Sequence, residues 1–206
     1  MSIIDQLLQK YPLISAQVDV QDVRIILTEL QRVLDANVAG DLVEFGCYLG
    51  TTSLFIQRLL GEQDHQGRQF HVYDSFEGLP SKSRHDESPA GVHFQPGVLA
   101  ISKKQLLREF QKARLQPPII HKRWFHDLTA TDVPRNIAFA FLDGDFYDSI
   151  KKSLQLVRPR LAAGGTIILH DYARDALPGV AKAARELGLQ PTVQHNLGII
   201  RMPLPL

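Results

Sequence analysis

The chain is predicted to adopt an α/β fold, in which a mostly parallel sheet is covered by helices on both faces. Three observations favour this fold: strand-like and helix-like segments alternate along most of the 206 residues, glycines follow the first strand-like run, and acidic residues follow several others. Alternation of this kind is typical of βαβ units, whose crossover helices keep the strands parallel. We therefore expect a Rossmann-like, doubly wound domain.

Two helices are expected before the first strand. Apolar residues recur at helical spacing between Ile3 and Leu34. Tyr11-Pro12 and residues 19–21 separate the two segments, because proline disfavours helix at the residue before it. We expect one domain over residues 1–206, with 1–40 as a helical extension. Such an extension usually covers a sheet edge or a subunit interface, so a homodimer through these helices is one expectation.

The remaining elements follow in order along the chain. Strands are expected at 42–46, 70–74, 119–123, 137–142 and 165–169, and helices at about 51–60, 102–115, 148–161 and 177–187. Residues 192–201, broken at Asn196 and Gly198, are expected to form two short edge strands. The stretch 75–102 is too long for a plain connection, so we interpret it as a mobile lid or insertion.

Composition and charge argue against nucleic-acid-binding and membrane-spanning functions. A hydrophobic content of 44% suits one large core, and a formal net charge of +1 gives no overall basic field for nucleic acid. The amino terminus lacks a signal pattern, and no apolar run approaches about 18 residues, so we expect a soluble cytoplasmic protein without membrane contact. The single cysteine, Cys47, is interpreted as a small side chain in a tight turn rather than a reactive thiol.

The segment 41–53 predicts a ligand-binding turn between the first strand and its helix. Gly46 permits positive φ, and Gly50 is expected to leave space for a ligand where the helix starts. The spacing G-x-x-x-G differs from G-x-G-x-x-G, which argues against NAD and FAD. Glu44, at the strand end, is placed to meet a cationic amino group, which S-adenosylmethionine has and a pyrophosphate lacks. An ordinary strand-to-helix turn is the alternative.

The second strand-like run ends on Asp74. In doubly wound folds an acid at this position accepts hydrogen bonds from ribose hydroxyls, because its two oxygens match two adjacent hydroxyl groups. Asp74 therefore predicts the second half of a nucleoside-type site, with a simple loop acid as the alternative.

Ionisable residues also follow two later strands. Asp143 and Asp145 come after strand 137–142, and His170 and Asp171 follow strand 165–169. Because the carboxyl ends of parallel strands share one edge of the sheet, these side chains are expected to converge. Oxygen-rich clusters suit Mg²⁺ or Mn²⁺, and histidine is compatible with Mn²⁺. The alternative is that Asp143 caps the following helix and His170 packs as a satisfied histidine.

The ordered motifs resemble those of the macrocin O-methyltransferase family, over residues 40–185. The resemblance is carried by Val43-Glu-Phe-Gly-Cys-Tyr-Leu-Gly50, Asp74-Ser-Phe-Glu-Gly-Leu-Pro80, Leu142-Asp-Gly-Asp-Phe-Tyr-Asp-Ser149 and Gly164-Gly-Thr-Ile-Ile-Leu-His-Asp-Tyr172. It implies a class I methyltransferase that uses S-adenosylmethionine, with help from Mg²⁺. The acceptor it implies is a small-molecule hydroxyl, typically on a natural-product sugar.

The resemblance also implies roles for individual residues. Those expected around the methionine part of the cofactor are Glu44, Gly46, Gly50 and Thr51, and those expected around its ribose and adenine are Asp74, Ser75, Phe76, Trp124 and Phe125. The implied metal ligands are Asp143, His170 and Asp171. The last two positions are commonly Asp-Asp in the family, so His170 is a departure that leaves the metal's identity and necessity open. Asp145 or His170 is expected to take the acceptor's proton.

Two other classes stay open from the sequence. One is a protein that binds S-adenosylmethionine or a nucleotide without catalysis, in which the strand-end acids are structural. The other is a related metal-dependent hydroxylase, which would oxidise its substrate with Fe(II) and a 2-oxo acid. A nicotinamide enzyme is the weakest alternative, because the central glycine of its turn is missing.

Overall fold

The computed structural model describes residues 1–62 and 67–204 and confirms the predicted α/β fold. The strands are β1 (Asp41–Phe45), β2 (Phe70–Asp74), β3 (Ile119–Lys122), β4 (Ile137–Leu142), β5 (Leu161–Leu169), β6 (Thr192–Gln194) and β7 (Leu197–Arg201). They form one sheet in the order β3-β2-β1-β4-β5-β7-β6. Strands β1 to β5 are parallel, and β7 runs antiparallel to both of its neighbours.

The helices are α1 (Ile3–Lys10), α2 (Val20–Asp35), α3 (Thr51–Gly61), α4 (Lys103–Ala113), α5 (Tyr147–Val157) and α6 (Pro178–Glu186). α5 ends earlier than expected, because the chain tightens into a 3₁₀ turn over Arg158–Arg160 that contains Pro159. Within the described ranges, no helix combines the length and apolar content that a membrane span requires.

The residues of β4 show how the sheet separates two cores. Phe139 and Phe141 pack with the helices of the amino-terminal half, whereas Ala140 and Leu142 pack with α5 and α6. This alternation follows from the two-residue period of a strand. Both faces are buried, as expected for a parallel sheet between two helical layers.

The helical prefix covers a face of the sheet, not an edge as expected. Val23, Ile26 and Leu30 of α2 are fully buried in the same core as Phe141, and α2 contacts α3, β4 and β5. The apolar stripe of α2 is therefore used within the chain. A homodimer through the prefix stays a prediction.

Gly198 was expected to interrupt the last strands, and this expectation is wrong. It lies inside β7 and pairs with Leu169 of β5 and Val193 of β6. A Cβ atom at Gly198 would lie 2.5 Å from Cγ of Tyr172. The glycine thus makes room for an aromatic ring that follows β5.

The segment 75–102 folds back onto the domain. Its Asp86 is fully buried and accepts a hydrogen bond from the Tyr147 backbone N–H at 2.7 Å. Leu79 and Phe94 from the same segment are also buried in the core that contains α5 and α6. The segment is therefore anchored at several points, and its opening and closing as a lid stay a prediction.

Candidate active site

A cavity of about 720 Å³ lies at the carboxyl ends of the central parallel strands. This is the position where doubly wound folds bind ligands, and the volume lies within the range of small-molecule sites. Its walls come from the turn after β1, the segment after β2, a turn after β3 and the ends of β4 and β5. Of the residues predicted from the sequence, those that line it are Gly46, Asp74, Ser75, Trp124, Phe125, Asp143, Asp145, His170 and Asp171.

Gly46 brings the end of β1 against the end of β4. Its φ is +87°, a backbone conformation that glycine adopts at little cost. A Cβ atom at this position would lie 2.0 Å from the backbone oxygen of Asp143. The close approach of these two strand ends therefore depends on the missing side chain.

Gly50 has a different role from the one expected. A Cβ atom there would lie 2.5 Å from Cδ1 of Leu106, so the space above Gly50 is filled by α4 and not by a ligand. Neighbouring Thr51 pairs its hydroxyl with that of Ser15 at 2.9 Å. Neither residue lines the cavity.

Glu44 and Phe76 also lie outside the cavity lining. Glu44 is 1% exposed and accepts a hydrogen bond from the Ser53 hydroxyl. Burial raises the pKa of Glu44 to about 8, against the opposing effect of the Ser53 hydrogen bond and with a further contribution from the charges of Asp143 and Asp74. Glu44 is therefore mostly protonated at neutral pH, and it packs beneath the turn that follows β1. Its carboxyl group does not reach the cavity wall, where it would contact the amino group of a ligand.

Asp74 lines the cavity and ties the first two strands together. Its Oδ2 accepts a hydrogen bond from the Cys47 backbone N–H at 2.9 Å, and its Oδ1 accepts one from the Phe76 N–H at 2.7 Å. The Cys47 thiol also donates to Oδ2 at 3.4 Å. Burial raises the pKa of this thiol well above its usual value, which matches a structural rather than reactive cysteine.

The predicted cluster of acids and histidine converges at the ends of β4 and β5. His170 Nδ1 lies 2.8 Å from Asp143 Oδ1 and 3.3 Å from Asp171 Oδ2. One potential ligand atom from each of these three residues lies within 4.8 Å of the others. Two carboxylates and one imidazole fit a divalent first-row metal such as Mn²⁺ better than they fit Mg²⁺, which prefers oxygen ligands.

The electrostatics of the cluster favour a cation. Burial raises the pKa of both Asp143 and Asp145, and for Asp145 the nearby charges of Asp143 and Asp171 add to the effect. Burial acts to lower the pKa of His170, but the neighbouring carboxylates outweigh it and raise that pKa well above the usual value. The carboxylates thus favour positive charge at this point, and the protonated imidazole of His170 supplies it when no metal is bound.

Strained backbone accompanies the site. Tyr48, Asp145 and Asp171 line the cavity with φ values of +44°, +57° and +53°, and Phe76 has a φ of +60°. Left-handed conformations of residues other than glycine cost on the order of 1–3 kcal/mol and cluster at functional sites. All four follow central strands of the sheet, at the edge where the cavity lies.

Two charged partners of the cluster were not found from the sequence. Arg174 donates a hydrogen bond to Asp171 at 3.1 Å, and the Asp22 carboxylate lies 3.6 Å from His170 Nε2. The D-x-x-R spacing of Asp171 and Arg174 was a local signal for the first contact. Asp22 belongs to the prefix, and nothing in its local sequence points to a residue of β5.

The strand order, the antiparallel β7 and the strand-end cavity together define a Rossmann-like protein of the class I methyltransferase fold. The structure is similar to that of the O-methyltransferase NovP, with a TM-score of 0.78 and 24% sequence identity over 92% of this chain and 83% of that one. The model of the family described as Macrocin-O-methyltransferase (TylF) matches residues 18–202. The chain belongs to the macrocin O-methyltransferase family.

Curated relatives agree with this family. The chain is 34% identical over 152 residues to the 8-demethyl-8-(2,3-dimethoxy-alpha-L-rhamnosyl)-tetracenomycin-C 4'-O-methyltransferase of Streptomyces olivaceus, covering 71% of this chain and 58% of the relative. It is 31% identical over 150 residues to the demethyldecarbamoylnovobiocin O-methyltransferase of Streptomyces niveus, covering 69% of this chain and 56% of the relative. The chain therefore spans somewhat more than half the length of the curated relatives it matches.

Proposed function

We propose that this protein is an O-methyltransferase that moves a methyl group from S-adenosylmethionine to a hydroxyl of a small natural product, with a sugar hydroxyl as the favoured acceptor. The observation that carries the proposal is that one cavity joins the turn after β1 and Asp74 to the cluster of Asp143, His170 and Asp171. Family membership and the names of the curated relatives support this acceptor class.

The cofactor is proposed to lie between the turn after β1 and the aromatic residues after β3. Gly46 and Ser75 contribute surface without bulky side chains near the Asp74 carboxylate. Trp124 and Phe125 are half-buried and form an apolar wall, against which a purine ring can stack. Glu44, Gly50, Thr51 and Phe76 are proposed to act indirectly, by holding the turns that shape this half of the cavity.

Asp143, His170 and Asp171 are the residues that would hold a divalent metal. When bound, such a metal lowers the pKa of a coordinated hydroxyl, which makes a weak nucleophile reactive near neutral pH. The contribution of the protein is to fix the carboxylates and the imidazole on two adjacent strand ends. Positioning of the acceptor oxygen in line with the methyl group and the sulfonium supplies much of the remaining rate enhancement.

Asp145 is the residue proposed to take the proton of the acceptor hydroxyl. Its side chain is partly exposed and lines the cavity beyond Asp143. His170 is less suited to that role, because it is 3% exposed and both of its ring nitrogens face carboxylates. A general base in reach of the acceptor typically contributes about 10²- to 10⁴-fold in rate.

The test is a binding titration followed by an acceptor screen. Trp124 is the single tryptophan of the chain and lines the cavity, so its fluorescence reports directly on occupancy. We expect micromolar binding of S-adenosylmethionine and S-adenosylhomocysteine, measured by fluorescence and checked by calorimetry with and without Mn²⁺. A Trp124→Phe variant should lose the optical signal but keep calorimetric binding. Absence of binding under every condition would refute the cofactor assignment.

A further inference from the structure

Asp22 faces the ring nitrogen of His170 that points away from the metal-binding cluster. It lies in the first turn of α2, is 2% exposed, and places Oδ2 3.6 Å from His170 Nε2. The same ring presents Nδ1 to Asp143 at 2.8 Å and to Asp171 at 3.3 Å. The imidazole therefore lies between carboxylates on both sides.

The carboxylate of Asp22 is itself held by polar contacts from another part of the chain. Its Oδ1 lies 2.8 Å from His195 Nδ1, and its Oδ2 accepts a hydrogen bond from Asn196 Nδ2 at 3.3 Å. Both residues belong to the turn between β6 and β7. A buried carboxylate with several polar partners is fixed in orientation. The position of Asp22 is thus set independently of Asp143 and Asp171.

We propose that Asp22 is a positioning residue that holds His170 with Nδ1 toward Asp143 and Asp171, and that it thereby sets the metal affinity of the site. The proposal rests on the metal-binding part of the proposed function. A histidine binds metal through one unprotonated nitrogen, and the hydrogen-bond partner of the other nitrogen decides which one this is. When a metal is bound at Nδ1, the remaining ring proton is on Nε2, and the Asp22 carboxylate, 3.6 Å away, is the group that this N–H faces.

This role also gives the imidazole of His170 a fixed direction. An aspartate needs no partner behind it to present an oxygen, whereas an imidazole can flip or change tautomer. Asp22 supplies the orientation that His170 cannot supply by itself. The prefix helix α2 thus completes the site as well as covering the sheet.

The experiment compares Mn²⁺ binding to four forms of the full chain, measured by electron paramagnetic resonance of free Mn²⁺. We expect Asp22→Ala to weaken binding by about 10- to 100-fold, the usual effect of removing such a partner. Asp22→Asn keeps an oxygen that can accept the Nε2 proton, so it should weaken binding less, by about three- to tenfold.

Asp19→Asn is the matched control. Asp19 caps the same helix: its carboxylate accepts a hydrogen bond from the Asp22 N–H at 2.8 Å and lies 3.6 Å from His195 Nδ1, but among the described residues it forms no ion pair with His170. Asparagine is an equally good cap, so this variant removes one charge from the same helix end and keeps the fold. Its Mn²⁺ affinity should stay within about threefold of the unmodified chain.

Several outcomes would overturn the proposal. One is Mn²⁺ binding to Asp22→Ala that is as tight as binding to the unmodified chain, and another is an equal loss of affinity in Asp19→Asn. If Asp22→Ala does not fold in a circular dichroism melt, the Asp22→Asn result decides, and unchanged affinity there refutes the role. S-adenosylhomocysteine titrations of the same samples distinguish failure of this proposal from failure of the proposed function. If the unmodified chain binds S-adenosylhomocysteine but no Mn²⁺, the metal site and the role of Asp22 are refuted. If it binds neither, the proposed function is refuted as well.

Discussion

Substitution of Gly46 by alanine tests how the glycine turn shapes the site. The added Cβ atom would lie 2.0 Å from the backbone oxygen of Asp143, whereas real Cβ contacts are essentially never shorter than 3.0 Å. The ends of β1 and β4 must therefore separate by about 1 Å to accept it, an overpacking change. Because Asp143 belongs to the proposed metal site, the same shift displaces the proposed catalytic half of the cavity.

The expected loss of stability has two parts. A left-handed backbone costs alanine about 1 kcal/mol, and overpacking adds about 1–3 kcal/mol, for a total of about 3 kcal/mol. For a chain of 206 residues, each kcal/mol lowers Tm by about 2–4 °C, so Gly46→Ala should melt about 10 °C lower. Gly188→Ala is the matched control, because Gly188 has a φ of +70° but no atom within 4 Å of the added Cβ. It carries the backbone cost alone, about 3 °C.

The assay is a thermal melt of both variants, with S-adenosylhomocysteine binding measured by calorimetry on the same samples. We expect Gly46→Ala to bind at least about tenfold more weakly, since a misplacement of about 1 Å disturbs a positioned site strongly. Gly188→Ala should bind unchanged. Equal melting temperatures for the two variants would refute the argument that the Asp143 oxygen limits the space at Gly46.

Three further predictions concern single groups of the site. Asp143→Asn should lower turnover by about 10²-fold or more while S-adenosylhomocysteine affinity changes by less than about threefold; a parallel loss of both would contradict the division of the cavity into two halves. The pKa of Glu44 is raised to about 8, so the folded state keeps a proton that the unfolded chain releases above about pH 4.5. The free energy of unfolding therefore falls as the pH rises toward 8, by up to about 1.4 kcal/mol per pH unit. Urea unfolding at pH 6 and pH 8 should show this loss in the unmodified chain and not in Glu44→Gln, and parallel pH profiles would refute it. Cys47 should resist a thiol reagent such as DTNB in the folded protein and react fully in urea, because its thiol is buried and its pKa is raised; fast labelling of the folded protein would contradict this.

The architecture could be predicted from the sequence because its signals are local. The bounds of β2 and β4 were predicted as the structure has them, since each is an apolar run between turn residues. The acids and histidine after β4 and β5 were expected to converge, because parallel strands end at one edge of the sheet.

The contacts that the sequence did not reveal are long-range. Gly50 was expected to face a ligand, yet Leu106, which occupies its space, comes from a helix far along the chain. Glu44 was expected at the cavity, but the depth of a strand-end side chain depends on how the following turn folds over it. Asp22 carried no local signal at all, because its partner His170 lies at the other end of the domain's sequence.

The left-handed residues around the cavity affect how this protein would respond to stability engineering. At Tyr48, Asp145 and Asp171 a glycine would relieve backbone strain in the folded state, although it would also loosen the unfolded chain. Directed evolution for heat tolerance would therefore select glycine or asparagine at positions that include Asp145, the proposed base, and Asp171, a proposed metal ligand. Selection for stability alone would remove the proposed catalytic groups first, so a library meant to keep the proposed activity should leave these three codons fixed.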